Sequence, residues 1–125
     1  MEFAKGTRET AIQDKSFLFA IRIVKLYQYL CNEKKEYVLS KQLLRSGTSI
    51  GANVSEAERA QSPADFYSKM SISLKEASET YYWLRLLHAT DYLANNEFYS
   101  MEADAKELLA LLTTICKTAQ QNSEK

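Results

Sequence analysis

Turn-forming residues are nearly absent from this chain, whose 125 residues include three glycines and one proline. A fold of many short strands needs such residues at its tight turns, so their scarcity favours long helices. With 46% apolar and 26% charged residues, the composition is that of an ordinary globular protein. This length corresponds to one compact domain. We therefore predict a single all-α domain over residues 1–125.

Apolar residues recur every three to four positions in four segments, which is the spacing of amphipathic helices. Short polar stretches separate the segments, the clearest being the charged run from Asn32 to Glu36. The predicted helices span about residues 12–32, 40–61, 63–92 and 96–120. Four helices with short connections pack most simply as an antiparallel up-down-up-down four-helix bundle.

Local signals mark where three of these helices begin. Ser40 is predicted to cap the second helix, and an asparagine of the pair Asn95-Asn96 is predicted to cap the fourth. The third helix has the clearest signal, because Ser62 precedes Pro63 and Asp65 follows at the third helical position. Serine, proline and an acidic residue in this order predict side-chain bonds to the backbone at the helix start.

The first predicted helix carries two apolar stripes. One consists of Phe17, Ile21, Val24 and Cys31, and the other of Phe19, Ile23, Leu26 and Leu30. A helix that faces one core needs a single stripe, and a soluble monomer rarely exposes a large apolar patch. The third predicted helix likewise has apolar and aromatic residues beside its main stripe. We expect self-association to bury these additional apolar residues.

Gly47 and Gly51 lie one turn apart in the second predicted helix. Each glycine costs roughly 1 kcal/mol of helix propensity relative to alanine. Close approach of a neighbouring helix is the usual reason for a glycine in a helical pattern. Contact with a ligand is the alternative.

The charge of the chain is balanced overall but divided unevenly along its length. A net charge of zero gives no global field that would hold the chain to phosphate backbones or anionic membranes. Residues 1–62 nevertheless have a balance of +3, and the remainder a balance of −3. This asymmetry suits head-to-tail stacking of copies or a modest nucleic-acid patch. The candidate contacts to RNA or DNA are Lys15, Arg22, Lys25, Lys41, Arg45 and Arg59.

No set of catalytic, cofactor-binding or metal-binding residues emerges from the sequence. A di-iron site in a helix bundle needs two Glu-x-x-His pairs, but the chain has one histidine, His88, with Arg85 three residues before it. We interpret His88 as a residue at the edge of the core. Cys31 and Cys116 lie in apolar patterns, so we expect free thiols in a reducing compartment. The sequence therefore predicts a non-enzymatic protein with no cofactor, no metal and no small-molecule substrate.

The sequence also predicts a protein without membrane segments. Its first residues lack the apolar stretch of a signal peptide. No run approaches the roughly 18 apolar residues that span a bilayer. We therefore expect a soluble cytoplasmic protein that does not associate with membranes.

A ridge of polar residues follows one face of the second predicted helix at steps of three and four. Its members are Arg45, Ser49, Asn53 and Glu56. The structural interpretation is a hydrogen-bond network that fixes the helix register. In this network Arg45 would meet an acid such as Glu76, and Glu56 a base such as Lys75. The functional interpretation is contact with a ligand or a nucleic acid.

The segment from Gln42 to Leu84 resembles four-helix-bundle proteins that are encoded by intervening sequences of 23S ribosomal RNA genes. The matching positions are Gln42-Leu43, Arg45-Ser46, Ser49-Ile50, Asn53-Val54, Glu56, Ser62, Phe66 and Lys75-Glu76-Ala77. The likeness covers about residues 15 to 115. Members of this family often have proline where Gly51 stands and glycine where Ala57 stands. The helix distortion and break expected of relatives should therefore be weaker here.

The resemblance implies a bundle that assembles into a ring-like homopentamer with a central channel, without catalysis and with an undetermined role. Similar bundles serve as accessory subunits of diversity-generating retroelement reverse transcriptases and bind nucleic acid through a basic surface. This chain has a pI near 6.6 and therefore lacks that strong basicity. Self-assembly is therefore the main expectation, and an accessory role in nucleic-acid binding is the alternative.

Overall fold

The computed structural model describes residues 8–124 as four helices and their connections. Helix α1 spans Arg8–Asn32, α2 Leu39–Ala57, α3 Pro63–Ala89 and α4 Asn95–Ser123. Each helix packs against the next one in the chain. α1 also packs against α4, and this is the smallest of the four contacts between helices. Consecutive helices run antiparallel, which confirms the predicted up-down-up-down bundle. Lys5, one of the bases of the N-terminal half, lies outside the described residues, as do the first residues of the segment searched for a signal peptide.

The core lies along the bundle axis and takes one apolar stripe from each helix. Its largest fully buried side chains are Ile12, Phe19, Ile23, Leu30, Leu43, Ile50, Val54, Met70, Leu84, Leu87, Leu108 and Leu112. Complete burial of an aliphatic or aromatic side chain stabilises a fold by about 1.5–3 kcal/mol. This stabilisation is spread over the whole length of the bundle, so the outer faces of the helices are held in fixed positions.

The start of α2 is capped by a carboxylate, and the prediction that Ser40 caps it was wrong. Val38 occupies the N-cap position without a side-chain bond of its own. The buried Glu36 carboxylate accepts hydrogen bonds from the backbone N–H groups of Val38, Leu39 and Ser40 at 2.5 to 3.0 Å. The Ser40 hydroxyl donates to the carbonyl oxygen of Glu36 at 2.8 Å. A negative charge at this helix end also complements the helix dipole.

The start of α3 follows its prediction, whereas the start of α4 does not. The Ser62 hydroxyl accepts a hydrogen bond from the Asp65 N–H at 3.0 Å, and the Asp65 carboxylate accepts one from the Gln61 N–H at 3.1 Å. At α4 the predicted asparagine cap was wrong. Ala94 is the N-cap residue, and the Glu97 carboxylate accepts a hydrogen bond from its N–H at 2.8 Å.

The other helix ends differ from the predicted bounds by a few residues. α2 ends at Ala57, before the predicted Gln61, because the backbone turns there towards the start of α3. α3 ends at Ala89, where the left-handed backbone of Asp91, with a φ of 69°, follows two residues later. α1 and α4 are longer than predicted, since α1 begins at Arg8 and α4 continues to residue 123.

The two glycines of α2 allow α1 to lie close to it, which confirms the structural interpretation. A Cβ atom at Gly47 would lie 2.7 to 2.9 Å from side-chain carbons of Ile23. At Gly51 it would lie 3.3 Å from the backbone oxygen of Ser16. The helix continues through both positions without a break. The close packing of α1 against α2 therefore explains why glycine stands at both positions despite its low helix propensity.

Candidate interaction surfaces

The polar ridge of α2 lies against α3, and Arg45 makes its main contacts there. The guanidinium of Arg45 pairs with Glu76 at 3.4 Å and also with Glu79. The Glu79 carboxylate accepts a further hydrogen bond from the indole N–H of Trp83 at 2.9 Å. Contact between Arg45 and Glu76 was predicted. One cation is thus shared by two acids of the neighbouring helix.

The remaining ridge residues are also engaged within the chain. Glu56 pairs with Lys69 at 3.3 Å, so its partner is not the suggested Lys75. The Ser49 hydroxyl donates to a backbone carbonyl one turn earlier in α2 at 2.6 Å. The side-chain amide of Asn53 donates to the Ser49 carbonyl at 2.9 Å. These contacts favour the structural interpretation, and ligand binding by the ridge stays a prediction.

Buried hydroxyl groups join α2 and α3 beneath this ridge, and the sequence analysis missed them. The hydroxyls of Thr80 and Ser46 form a hydrogen bond of 2.9 Å, and the Ser73 hydroxyl donates to the Ile50 carbonyl at 2.9 Å. All three hydroxyl-bearing residues are fully buried. The available signal was their place in the core stripes, where a polar group needs a partner. They fix the register of α2 on α3.

Half of the bases predicted to contact nucleic acid form ion pairs inside the chain. Lys15 pairs with Glu107 at 3.1 Å and Arg22 with Asp104 at 2.6 Å, both between α1 and α4. Arg45 is the third. Such partly exposed pairs add about 0–1 kcal/mol of stability each. Their larger consequence is that positive charge of α1 and α2 is neutralised by α3 and α4.

The other three candidate bases, Lys25, Lys41 and Arg59, are exposed. None of them has a carboxylate within ion-pair distance in the range 8–124. Lys41 lies in the first turn of α2 and Arg59 lies just past its last residue, roughly 25 Å away by the rise of an α-helix. The structure therefore distributes the free positive charge and does not bring the six candidate bases together.

The apolar stripe of α1 that contains Phe17 is exposed in the single chain. Phe17 is 67% exposed, Ile21 39% and Val24 38%, and the adjacent Leu18 is 61% exposed. The stripe that contains Phe19 is buried in the core. This division confirms that α1 has more apolar surface than the core of one chain needs.

A groove of about 740 Å³ runs between α1 and α2 beside the exposed stripe. Its lining includes Gln13, Phe17, Ala20, Thr48, Ala52 and Ser55. Apart from Glu58 at its end, the wall on the α2 side consists of small side chains, so the groove is open to larger side chains of a partner. Asp14 and Glu58 also line it and are exposed. Neither acid has a basic partner among the residues that the structure describes.

The outer face of α3 carries small, basic and aromatic residues at steps of three and four. They are Ser71, Lys75, Ser78, Tyr82 and Arg85. Tyr82 is 52% exposed, and its ring lies edge-on to that of Trp83 at a centroid distance of 5.1 Å. Lys75 is exposed and has no acidic partner within residues 8–124. This face is a second surface that one chain leaves without a partner.

A smaller pocket of about 410 Å³ lies between the end of α3 and the start of α4. Here the His88 ring stacks on Phe98 at 4.1 Å, and its Nε2 lies 2.8 Å from the side-chain oxygen of Asn95. Tyr81 donates a hydrogen bond to the Glu102 carboxylate at 2.7 Å, which raises the pKa of Tyr81. His88 therefore lies at the edge of the core, as the sequence indicated, and its ring is engaged.

The described residues show no arrangement typical of a metal site. No group of three or more His, Cys, Asp or Glu side chains within 8–124 is placed to hold a metal ion. Cys31 is half-buried and Cys116 is buried, and both are free thiols. Burial raises the pKa of Cys116. Of the four helices described, none has the length and apolar character needed to cross a membrane.

Comparisons with known proteins agree with this fold. The family model of the 23S rRNA-intervening sequence protein matches residues 8–114. A crystal structure from Bacteroides thetaiotaomicron, of a protein with unknown function from the S23 ribosomal protein family, is similar at 54% sequence identity and a TM-score of 0.87. The similarity covers 89% of this chain and 99% of that chain. No curated protein matches.

Proposed function

Because this chain belongs to the 23S rRNA-intervening sequence protein family, we propose that it is a non-enzymatic interaction protein that assembles with copies of itself into a ring-like homopentamer. The observation that carries self-assembly is the exposed apolar stripe of α1 beside the open α1–α2 groove. The number five comes from what the family resemblance implies. The tendency to associate comes from this chain's own surface.

The exposed stripe supports assembly because its residues form one continuous line. Phe17, Ile21 and Val24 follow at helical spacing, and each keeps more than a third of its surface in water. Monomeric soluble proteins rarely leave large contiguous apolar patches exposed. Burial of apolar surface contributes about 25 cal/mol per Å², so an interface over this line would be favourable.

The charge asymmetry of the two sequence halves supports assembly less than the sequence suggested. Lys15 and Arg22 of the basic half pair with Glu107 and Asp104 of the acidic half inside one chain. Charges that are already paired attract a second copy weakly. The apolar stripe therefore carries the proposal, and charge would mainly set the orientation of the copies.

The proposal includes no catalysis, and the contacts of the obvious catalytic candidates support this. His88 is engaged with Asn95 and Phe98. Arg45 and Glu56 are paired with α3. A purified sample that turned over a substrate, and lost that turnover in the Glu56→Ala variant, would contradict this part of the proposal.

Native mass spectrometry of the protein purified at low salt tests the assembly. A mass five times that of the 14.3 kDa chain supports the homopentamer. Another integer multiple would keep self-assembly and overturn the number five. A single chain at micromolar concentration would contradict the proposal.

Nucleic-acid binding by an accessory protein is the second candidate function. The exposed and unpaired bases Lys25, Lys41 and Arg59 favour it. Affinity for RNA or DNA would then fall steeply with salt, and replacement of these three bases by glutamate would lower the salt slope by about one for each phosphate that the variant no longer neutralises. Lys117→Glu, at an exposed position of α4, is the matched control. Absence of binding at low salt would contradict this candidate.

A further inference from the structure

Two unpartnered faces of the bundle lie on helices at opposite corners. Within residues 8–124, α1 and α3 do not pack against each other, because α2 and α4 separate them. The outer face of α1 is apolar and includes Phe17 and Ile21. The outer face of α3 includes the exposed Tyr82. Two different faces on opposite sides of one chain are suited to a head-to-tail contact between copies, which closes into a ring when the rotation permits.

The two faces share the same residue spacing. On α1 the residues are Asp14, Phe17, Ile21 and Val24, at steps of three, four and three. On α3 they are Lys75, Ser78, Tyr82 and Arg85, at the same steps. Helices with outer residues repeating in this way pack side by side over several turns. The two faces can therefore stay in register along four successive contacts.

The direction of the contact follows from the bundle and from ring symmetry. In an up-down-up-down bundle, α1 and α3 run in the same direction. Rotation about a ring axis along the bundle keeps that direction in every copy. α1 of one copy then meets α3 of the next in parallel, and alignment of the two four-residue sets in this direction places Asp14 opposite Lys75. An antiparallel contact would place Asp14 opposite Arg85.

The parallel register is complementary in size. It places Phe17 opposite Ser78, and Ile21 opposite Tyr82. A large side chain thus meets a small one at the first position, and two large apolar surfaces meet at the second. The small residues on the α2 wall of the groove beside Phe17 leave room for the incoming helix.

The parallel register is also complementary in charge. Asp14 and Lys75 are both exposed, and each lacks an oppositely charged partner in the described part of its own chain. Three neighbouring charged residues already form ion pairs inside the chain. Lys15 pairs with Glu107 of α4, and both Glu76 and Glu79 pair with Arg45 of α2. Asp14 and Lys75 are therefore both free to pair with a charge of a second copy.

We infer that copies of this chain assemble through a parallel contact between the outer face of α1 and the outer face of the next copy's α3, oriented by an ion pair between Asp14 and Lys75. This inference rests on the self-assembly proposed above and deepens it, because it names both surfaces and their register. The partner on either face is a second copy of this chain.

Charge reversal tests the register. Asp14→Lys and Lys75→Glu each place like charges opposite one another in every interface. We expect either variant to raise the concentration of half-assembly at least tenfold at low salt, measured by light scattering after size-exclusion chromatography. The double variant Asp14→Lys/Lys75→Glu restores opposite charges and should assemble as the original chain does. Both sites are exposed, and circular dichroism checks that each variant stays helical.

Control variants and the remaining outcomes separate this inference from the proposed function. Glu33→Lys and Lys117→Glu reverse exposed charges outside both faces and should leave assembly unchanged. If the original chain assembles and the single reversals do not weaken it, the α1–α3 contact is wrong while self-assembly stands. Rescue of Asp14→Lys by Arg85→Glu, and not by Lys75→Glu, would overturn the parallel direction. A single chain throughout would overturn both proposals.

Discussion

The two apolar faces of α1 look alike in the sequence and have different surroundings in the structure. Phe19 and Ile23, on the inner face, are buried in the core, and Ile23 fits against Gly47 of α2. Phe17 and Ile21, on the outer face, have 67% and 39% of their surface exposed. The comparison teaches that hydrophobic periodicity reports how much surface a helix must bury. Whether its own chain or another copy buries that surface depends on what lies next to the helix.

The largest expected effect on the fold comes from the inner face. Ile23→Ala removes methyl and methylene groups from a fully buried side chain and leaves a cavity, which costs about 2–5 kcal/mol. The free energy of unfolding, measured by urea titration at dilutions where the single chain predominates, should fall by this amount. Ile21→Ala, at the exposed position half a turn away, is the matched control. Equal losses at both positions would contradict the division of α1 into two faces.

A smaller loss is expected when the space that receives Ile23 is filled. Gly47→Ala places a Cβ atom within 2.7 to 2.9 Å of the Ile23 side chain. Overpacking costs about 1–3 kcal/mol, and alanine regains about 1 kcal/mol of helix propensity. We therefore expect a net loss of about 1 kcal/mol by the same urea titration.

A double-mutant cycle sharpens this prediction. Ile23→Ala removes the atoms that the new Cβ would meet, so the double variant Gly47→Ala/Ile23→Ala should lose less stability than the sum of the single losses. Strict additivity would show that the contact between Ile23 and Gly47 does not hold the inner face in place.

Sequence reasoning was most reliable where the cause of a structure is local. The bonds of Ser62 and Asp65 at the start of α3 depend on residues that are next to each other in the chain, and both were predicted. The start of α2 was missed although it is equally local. Glu36 belongs to the charged connection and caps the helix from outside, whereas the rule for N-caps selected Ser40.

The contacts between helices were harder to predict because they depend on which residues share a level of the bundle. Arg45 and Glu76 were paired correctly, since α2 and α3 are consecutive and their register follows from a short turn. Lys15 and Glu107 are separated by most of the chain, and nothing local relates them. The candidate nucleic-acid surface was therefore named as six bases, without the acids that neutralise three of them.

A substitution in the connection that positions α2 beside the inner face of α1 should lower the stability of the fold moderately. Glu36→Ala removes the carboxylate that accepts three backbone N–H groups at the start of α2. Loss of a helix N-cap costs about 0.5–2 kcal/mol. We expect a decrease in the free energy of unfolding of about 1 kcal/mol. Glu33→Ala, an exposed acid of the same connection, should have almost no effect.

The smallest expected effect on the fold comes from the outer face, where the effect on assembly should be large. Phe17→Ser removes a side chain that is 67% exposed, and substitutions at such surfaces change stability by about 0.5 kcal/mol or less. If the outer face is an interface, each copy then lacks an aromatic ring where it meets its neighbour. Native mass spectrometry should therefore show single chains at concentrations where the original protein assembles.

Tyr37→Ser separates this interface effect from a general loss of exposed aromatic surface. Tyr37 is 53% exposed but lies in the connection between α1 and α2, outside both outer faces. We expect it to change neither the unfolding free energy nor the assembly. Unfolding of Phe17→Ser would place Phe17 in the core and remove the contrast between the two faces of α1. A folded Phe17→Ser protein that assembles normally would keep the contrast and show that another surface joins the copies.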